Sequence, residues 1–270
     1  MPAQPLGPTG LLAQSLTLPA GSQSMAMGGM GLRAQGMDGR KKGGEAPPPP
    51  PSPDTIATAA YWLDSTQGVV GTSPVTSWTD RKLSKVFGNQ GSPQFVAGSP
   101  PRISFPTSPD NLQTNNLSAV DYSGGNRAAI TFAFRTRSSF NNAAILSYGG
   151  GSNHFSLGIN ASGVLKASRS NNWSTDDAVD VSALNPNTLY VATAYYDSGQ
   201  LVLRRNFAEV ARVANSFSMG SSNNARVSGL SDGSNFSQSM EAIQAVYFTS
   251  AFTLADIVAV ENYYRSQIGI

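Results

Sequence analysis

Only four glutamates occur in this chain, Glu45, Glu209, Glu241 and Glu261, and none has an acidic residue two positions away on a shared strand face. Cleavage of a glycosidic bond needs two carboxyl groups flanking one bond, as acid and as nucleophile or base. The spacing therefore argues against a glycosidase, and no enzymatic activity is expected. The acidic cluster Asp176, Asp177 and Asp180 does not supply the pair. Positions 177 and 180 fall on opposite faces of a strand, and Asp176-Asp177 reads as a polar turn. His154 is the only histidine, which excludes a histidine-rich metal site. No Gly-x-Ser-x-Gly elbow accompanies it, so no serine triad is indicated. It follows Gly149-Gly150-Gly151 and reads as a loop residue. The absence of cysteine removes disulfides, zinc fingers and a thiol nucleophile. Asp64, Asp80, Asp121 and Asp232 are loop oxygens that leave calcium open, although their spacing matches no known cage. No other cofactor is expected.

Binding chemistry has better candidates. A glycan site pairs an aromatic ring with neighbouring amides and hydroxyls. Trp173 with Asn171 and Asn172, inside Ser168-Arg-Ser-Asn-Asn-Trp-Ser-Thr, has that composition, as does Tyr148 with Asn153 and His154 around the triple glycine. Trp62 and Trp78 read instead as core residues. The net charge of +2 leaves no footprint for nucleic-acid binding driven by phosphate neutralisation.

The elements that must position these residues divide at a run of prolines. Ten glycines lie between Gly7 and Gly44, and five of the seven methionines lie within residues 1–46. Such a segment cannot bury enough apolar area to offset about 1–2 kcal/mol per residue of backbone ordering. Residues 1–46 therefore read as an extended arm that a partner would order. Met25, Met27, Met30 and Met37 suit irregular partner surfaces, with Arg33 and Arg40 as polar anchors. Pro47–Pro51 and Pro53 cannot donate backbone hydrogen bonds and favour polyproline II. Residues 47–54 thus read as a semi-rigid spacer of about 20 Å. No run of 18 apolar residues crosses a membrane. The N-terminal sequence lacks a basic, then apolar, secretory leader, which fits release by a route other than secretion.

From residue 55 to 270, dense turn punctuation separates short β-branched and aromatic runs. Strands are expected at Ile56–Leu63, Arg102–Phe105, Ala129–Arg137, Ala143–Tyr148, Phe155–Ile159 and Val164–Ser168. Others follow at Leu189–Tyr196, Leu201–Arg205, Ala208–Val213, Ala225–Leu230 and Ala242–Phe248. Strands at this spacing predict an all-β sandwich or barrel. In Thr131-Phe-Ala-Phe-Arg the two phenylalanines share a face; in Leu201-Val-Leu-Arg the leucines oppose Val202 and Arg204. Thr253-Leu-Ala-Asp reads as an N-cap with an acidic N3 residue. It opens a helix predicted over Leu254–Ser266, with Gly269 in a stop position.

Tyr61-Trp-Leu-Asp64, a Gly/Ser turn and Val75-Thr-Ser-Trp-Thr-Asp-Arg81 resemble the opening of laminin-G-like domains of the concanavalin-A-like fold. Arg102-Ile-Ser-Phe105 is similar to the strand that follows in that family. Met240–Phe248, Leu254-Ala-Asp, Val260–Tyr264 and Ile268-Gly-Ile resemble its closing strand and helix. The resemblance implies a jelly-roll β-sandwich with a short C-terminal helix over residues 55–270. Such domains also occur on bacteriophage capsid decoration and fibre proteins. That context implies a non-enzymatic virion surface protein, anchored to a capsid or other virion protein by the arm and self-associating, for example as a trimer. The alternative is an extracellular carbohydrate-binding module in which the arm is only a linker, with cell-surface glycans as partners.

Overall fold

A computed structural model describes residues 48–107, 109–115, 117–120, 122, 127–150, 153–168, 177–216, 224–230 and 240–270. The arm over 1–46, with Met25, Met27, Met30, Arg33, Met37 and Arg40, lies outside the described residues. The strands are β1 (Ala59–Asp64), β2 (Val69–Val70), β3 (Ser77–Thr79), β4 (Val86–Gln90), β5 (Gln94–Val96), β6 (Arg102–Phe105) and β7 (Asn111–Thr114). They continue as β8 (Arg127–Thr136), β9 (Ala143–Gly150), β10 (Asn153–Ile159), β11 (Val164–Ser168) and β12 (Ala178–Ala183). The last are β13 (Leu189–Asp197), β14 (Gln200–Arg205), β15 (Ala208–Ala214), β16 (Ala225–Val227) and β17 (Met240–Phe248), followed by helix α1 (Leu254–Ile268).

These strands form two antiparallel sheets, and the fold is an all-β jelly-roll sandwich closed by one helix. The eight-stranded sheet runs β15-β14-β13-β8-β17-β6-β5, with β1 also paired to β17. The nine-stranded sheet runs β12-β11-β10-β9-β16-β7-β4-β3-β2. Residue alternation explains the layering. Ile130, Phe132 and Phe134 of β8, Tyr190, Ala192 and Ala194 of β13, and Leu201 and Leu203 of β14 enter the core between the sheets. The intervening Ala129, Ala133, Val191, Tyr195 and Val202 enter a second apolar layer, beneath Ile257, Val260 and Tyr264 of α1. The centre of the eight-stranded sheet is thus buried on both faces, and every residue of β1 and β17 is buried. A bulge between Ala242 and Gln244 lets Ala242 and Ala245, three residues apart, face the same core.

Helix α1 begins where its sequence demands. Thr253 accepts from the Asp256 backbone while the Asp256 carboxylate accepts from the Thr253 backbone and hydroxyl. Those bonds hold the Asp256 carboxyl below its usual range, against the upward push of its own desolvation. Gly269 ends the helix at φ 70°, a left-handed conformation that glycine adopts without penalty. Glu261 is 1% exposed; it accepts from Arg204 Nε and Nη2, both at 2.9 Å, and from Thr193 Oγ1 at 2.8 Å. The Glu261 hydrogen bond raises the Arg204 guanidinium's pKa above its ordinary value.

Three expectations need correction. Ile56 does not start a strand: it caps a 3-10 turn, Pro53–Thr55, and β1 begins at Ala59. Pro53, read as part of the spacer, is buried in that turn and its carbonyl accepts from Lys82 Nζ at 3.2 Å. Asp180, read in an acidic cluster, lies in β12 and pairs with Arg205 at 2.7 Å. Asp177 pairs with Lys166 at 2.9 Å, so the cluster is divided between two cations.

Candidate functional site

Of the residues named from sequence as glycan ligands, Tyr148, Asn153 and His154 fall within the described residues. Trp173, Asn171 and Asn172 belong to the connection between β11 and β12 and lie outside the described residues. Tyr148 is a correction. It is 1% exposed, its ring meets Tyr122 edge-on at 4.6 Å, and its hydroxyl donates to the Val120 carbonyl. In β9 it alternates with Ser147, so the inward parity that gives the core its ring removes that ring from solvent. His154 is not a loop residue but a fully buried member of β10, paired with Gly149. Asn153 opens the same strand opposite Gly150.

His154 belongs to a polar layer. Across the nine-stranded sheet, Gln113, Arg226, Ser147, Ser156 and Ser168 stand in continuous register. Their neighbours along each strand enter the core, so these face the other way. Ser147, His154, Ser156 and Ser168 are fully buried and Arg226 is 4% exposed. Arg226 donates to Gln113 Oε1, and Ser147 Oγ donates to the Gly229 carbonyl at 2.8 Å. Buried polar groups held by one another stabilise a sheet face.

An open site lies at the other edge, where β2 of one sheet approaches β5 of the other. Asp64 ends β1, and its Oδ1 accepts from Thr66 N at 3.0 Å and Thr66 Oγ1 at 2.8 Å, an Asx turn that Asp favours. Gly68 follows at φ +74°, where an added Cβ would lie 2.4 Å from the Thr79 carbonyl oxygen. Glycine is therefore required there. Phe95 N donates to the Thr72 carbonyl at 2.8 Å and Val75 N to the Pro93 carbonyl at 2.6 Å, tying the two edges together. Between them is a cleft of about 260 Å³ lined by Ser65, Thr66, Gln67, Gly68, Val69, Gly71, Thr72 and Phe95. Thr66, Gln67 and Thr72 are exposed and Phe95 is half-buried. Hydroxyls and an amide on one wall, with an aromatic residue on the other, can hold a polyhydroxylated ligand.

The carboxylates near the cleft are engaged. Asp64 Oδ2 pairs with Arg81 Nη1 at 2.6 Å, and Arg81 also lies 3.9 Å over the Trp62 ring. Asp80 accepts from Trp62 N at 2.5 Å and Leu83 N at 2.6 Å. These two of the four loop aspartates are thus fixed by the fold, and Asp121 and Asp232 lie outside the described residues. Among the described residues no group of three His, Cys, Asp or Glu side chains is placed to hold a metal ion. Sequence analysis identified the Asp64–Gly68 turn but missed the cleft, because its far wall is a three-residue strand, Gln-Phe-Val, too short to show alternation.

No protein-family model and no curated protein matches the sequence. Solved structures do match the fold. A Trypanosoma rangeli sialidase in complex with 2,3-difluoro-KDN matches with TM-score 0.56 and 10% identity, over 79% of this chain and 34% of its own. An arabinofuranosidase complexed with arabinofuranosyl-alpha-1,2-xylobiose matches with TM-score 0.56 and 11% identity, over 72% of this chain and 51% of its own. A receptor binding domain matches with TM-score 0.54 and 13% identity, over 78% of this chain and 51% of its own. The chain thus spans between a third and a half of the length of these proteins. They share its β-sandwich architecture.

Proposed function

We propose that the β-sandwich is a non-catalytic carbohydrate-binding domain. The observation that carries this reading is the open cleft between β2 and β5, lined by exposed Thr66, Gln67 and Thr72 and by half-buried Phe95, which also packs on the core. The occurrence of the same architecture in a sialidase and an arabinofuranosidase supports it. Non-catalysis is supported by the glutamates. Glu209 pairs with Arg212 at 2.7 Å, Glu241 with Arg102 at 2.8 Å and Glu261 with Arg204 at 2.9 Å. None of the three lines the cleft.

A glycan array probed with the full chain tests the reading. Binding is expected, weakened about five- to tenfold by Phe95→Ala, because contact with an aromatic ring is worth about 0.5–1.5 kcal/mol. Gln67→Ala, at an exposed position, is expected to weaken it several-fold with no change in melting temperature. Trp173→Ala in the same assay measures the β11–β12 connection. An array with no binding would exclude the reading.

A second reading is display on a virion or similar assembly through residues 1–46, with self-association of the domain. The Gly, Pro and Met composition of that segment favours it. Deletion of residues 1–46 is expected to leave the melting temperature within about 2 °C while abolishing particle association in sedimentation. Association that survives deletion intact would exclude anchoring by the arm.

A further inference from the structure

We infer that the β2–β5 cleft takes a single neutral sugar ring and discriminates against sugars that carry a carboxylate; this rests on the carbohydrate-binding reading above. Three observations converge. None of the eight residues lining the cleft is charged. A sugar carboxylate bound there would give up part of its hydration without meeting a cation, and an ionised group desolvated without a partner is disfavoured. Asp64, which precedes the lining residue Ser65, is buried and paired with Arg81, so it adds no positive charge that could hold a bound acid.

Arg81 does not supply the missing cation. Its Nη1 is held by Asp64 at 2.6 Å, its Nη2 by Asp54 at 3.4 Å, and its guanidinium plane by the Trp62 ring at 3.9 Å. Swinging it towards a ligand would strand Asp64, which is 2% exposed, without its counter-charge. The selectivity is therefore built into the turn. The same carboxylate that shapes the Asx turn for Thr66 also consumes the local arginine.

Size sets the second half of the inference. Pockets for drug-sized ligands run from about 300 Å³ upward, and this cleft holds about 260 Å³. The Phe95–Thr72 backbone bond joins its two edges. One ring fits with its apolar face on Phe95 and its hydroxyls towards Thr66, Gln67 and Thr72, and the remainder of a chain would extend into solvent.

Ligand-observed saturation-transfer NMR with the full chain decides it, using galactose, glucose, arabinose and xylose against glucuronic acid and N-acetylneuraminic acid. At least one neutral sugar is expected to give a signal that Phe95→Ala and Gln67→Ala reduce at least fivefold, with the acids at least tenfold weaker. Gln67→Lys, at an exposed position, is expected to raise the acid signals severalfold without changing the fold. Acids that bind as well as neutral sugars and respond to the cleft variants would overturn the selectivity while leaving carbohydrate binding intact. Neutral sugars that bind but ignore all three variants would overturn the cleft assignment alone. Silence from every sugar, with an empty glycan array, would overturn both.

Discussion

Glu261→Ala is expected to destabilise the domain by about 3–5 kcal/mol, the usual cost of removing one partner from a buried ion pair. For a domain of this size each kcal/mol is worth about 2–4 °C, so the melting temperature should fall by about 6–20 °C. Glu261 is the only acidic residue on the buried stripe of α1. Its loss strands the Arg204 guanidinium, whose side chain is 12% exposed. It also leaves the Thr131–Thr193 hydroxyl pair, linked at 3.0 Å across β8 and β13, without its terminal acceptor. The diagnostic measurement is the double variant. Arg204→Met with Glu261→Met should recover much of the lost stability, because replacing both charges by apolar groups is often neutral or better. A fall below about 2 °C in the single variant would show that the pair is not buried in solution.

Trp62→Ala is expected to cost about 3–5 kcal/mol, as large-to-small changes at fully buried aromatics do. Trp62 is completely buried, with Tyr263 edge-on at 5.6 Å and Arg81 stacked on its ring at 3.9 Å. Among the described residues its Nε1 has no hydrogen-bond partner. Trp62→Phe should therefore be much milder, about 1–2 kcal/mol, because it removes a buried donor that was unsatisfied. Trp78 offers the internal contrast. It is equally buried, but its Nε1 donates to the Asp64 carbonyl at 3.0 Å. Trp78→Phe loses a real hydrogen bond at the base of the cleft turn, and should cost more than Trp62→Phe. Urea titrations of the three variants test the ranking, and an inverted order for the two phenylalanine variants would contradict the hydrogen-bond assignment.

The fold was legible where local chemistry and burial agree. The strands at Arg102–Phe105 and Val164–Ser168 and the helix start at Thr253 are where the sequence places them. In β8 and β14 the alternation of Phe132, Phe134, Leu201 and Leu203 assigned the core face correctly. Six strands were not legible, β2, β3, β4, β5, β7 and β12. Four of these have four residues or fewer, and Val86-Phe-Gly-Asn-Gln and Ala178-Val-Asp-Val-Ser-Ala have polar or glycine positions where alternation would be read. Position 180 illustrates the reason. An aspartate inside a strand is disfavoured in isolation, and only Arg205 of β14, brought from the opposing sheet, neutralises it. The site was less legible than the fold. Tyr148 and His154 looked like loop ligands because triple glycine suggests a turn, whereas the strands run into it from both sides. Parity then settles where each side chain goes. The cleft needs two sheet edges that are distant in sequence, Thr66–Thr72 and Phe95, so no local window contains it.

The turn at Pro53 has a mechanical consequence. Tension transmitted along Pro48–Ser52 reaches the domain at a proline whose carbonyl is gripped by Lys82, at an aspartate paired with Arg81, and at Ile56, whose carbonyl accepts from Lys82 at 2.8 Å. These contacts lie ahead of β1, and they must yield before its hydrogen bonds to β17 bear load. Arg81 and Lys82 thus clamp the entry of the chain in series with the sheet; salt screens the Arg81–Asp54 pair, whereas the Lys82 bonds to carbonyls and the burial of Ile56 resist independently of it.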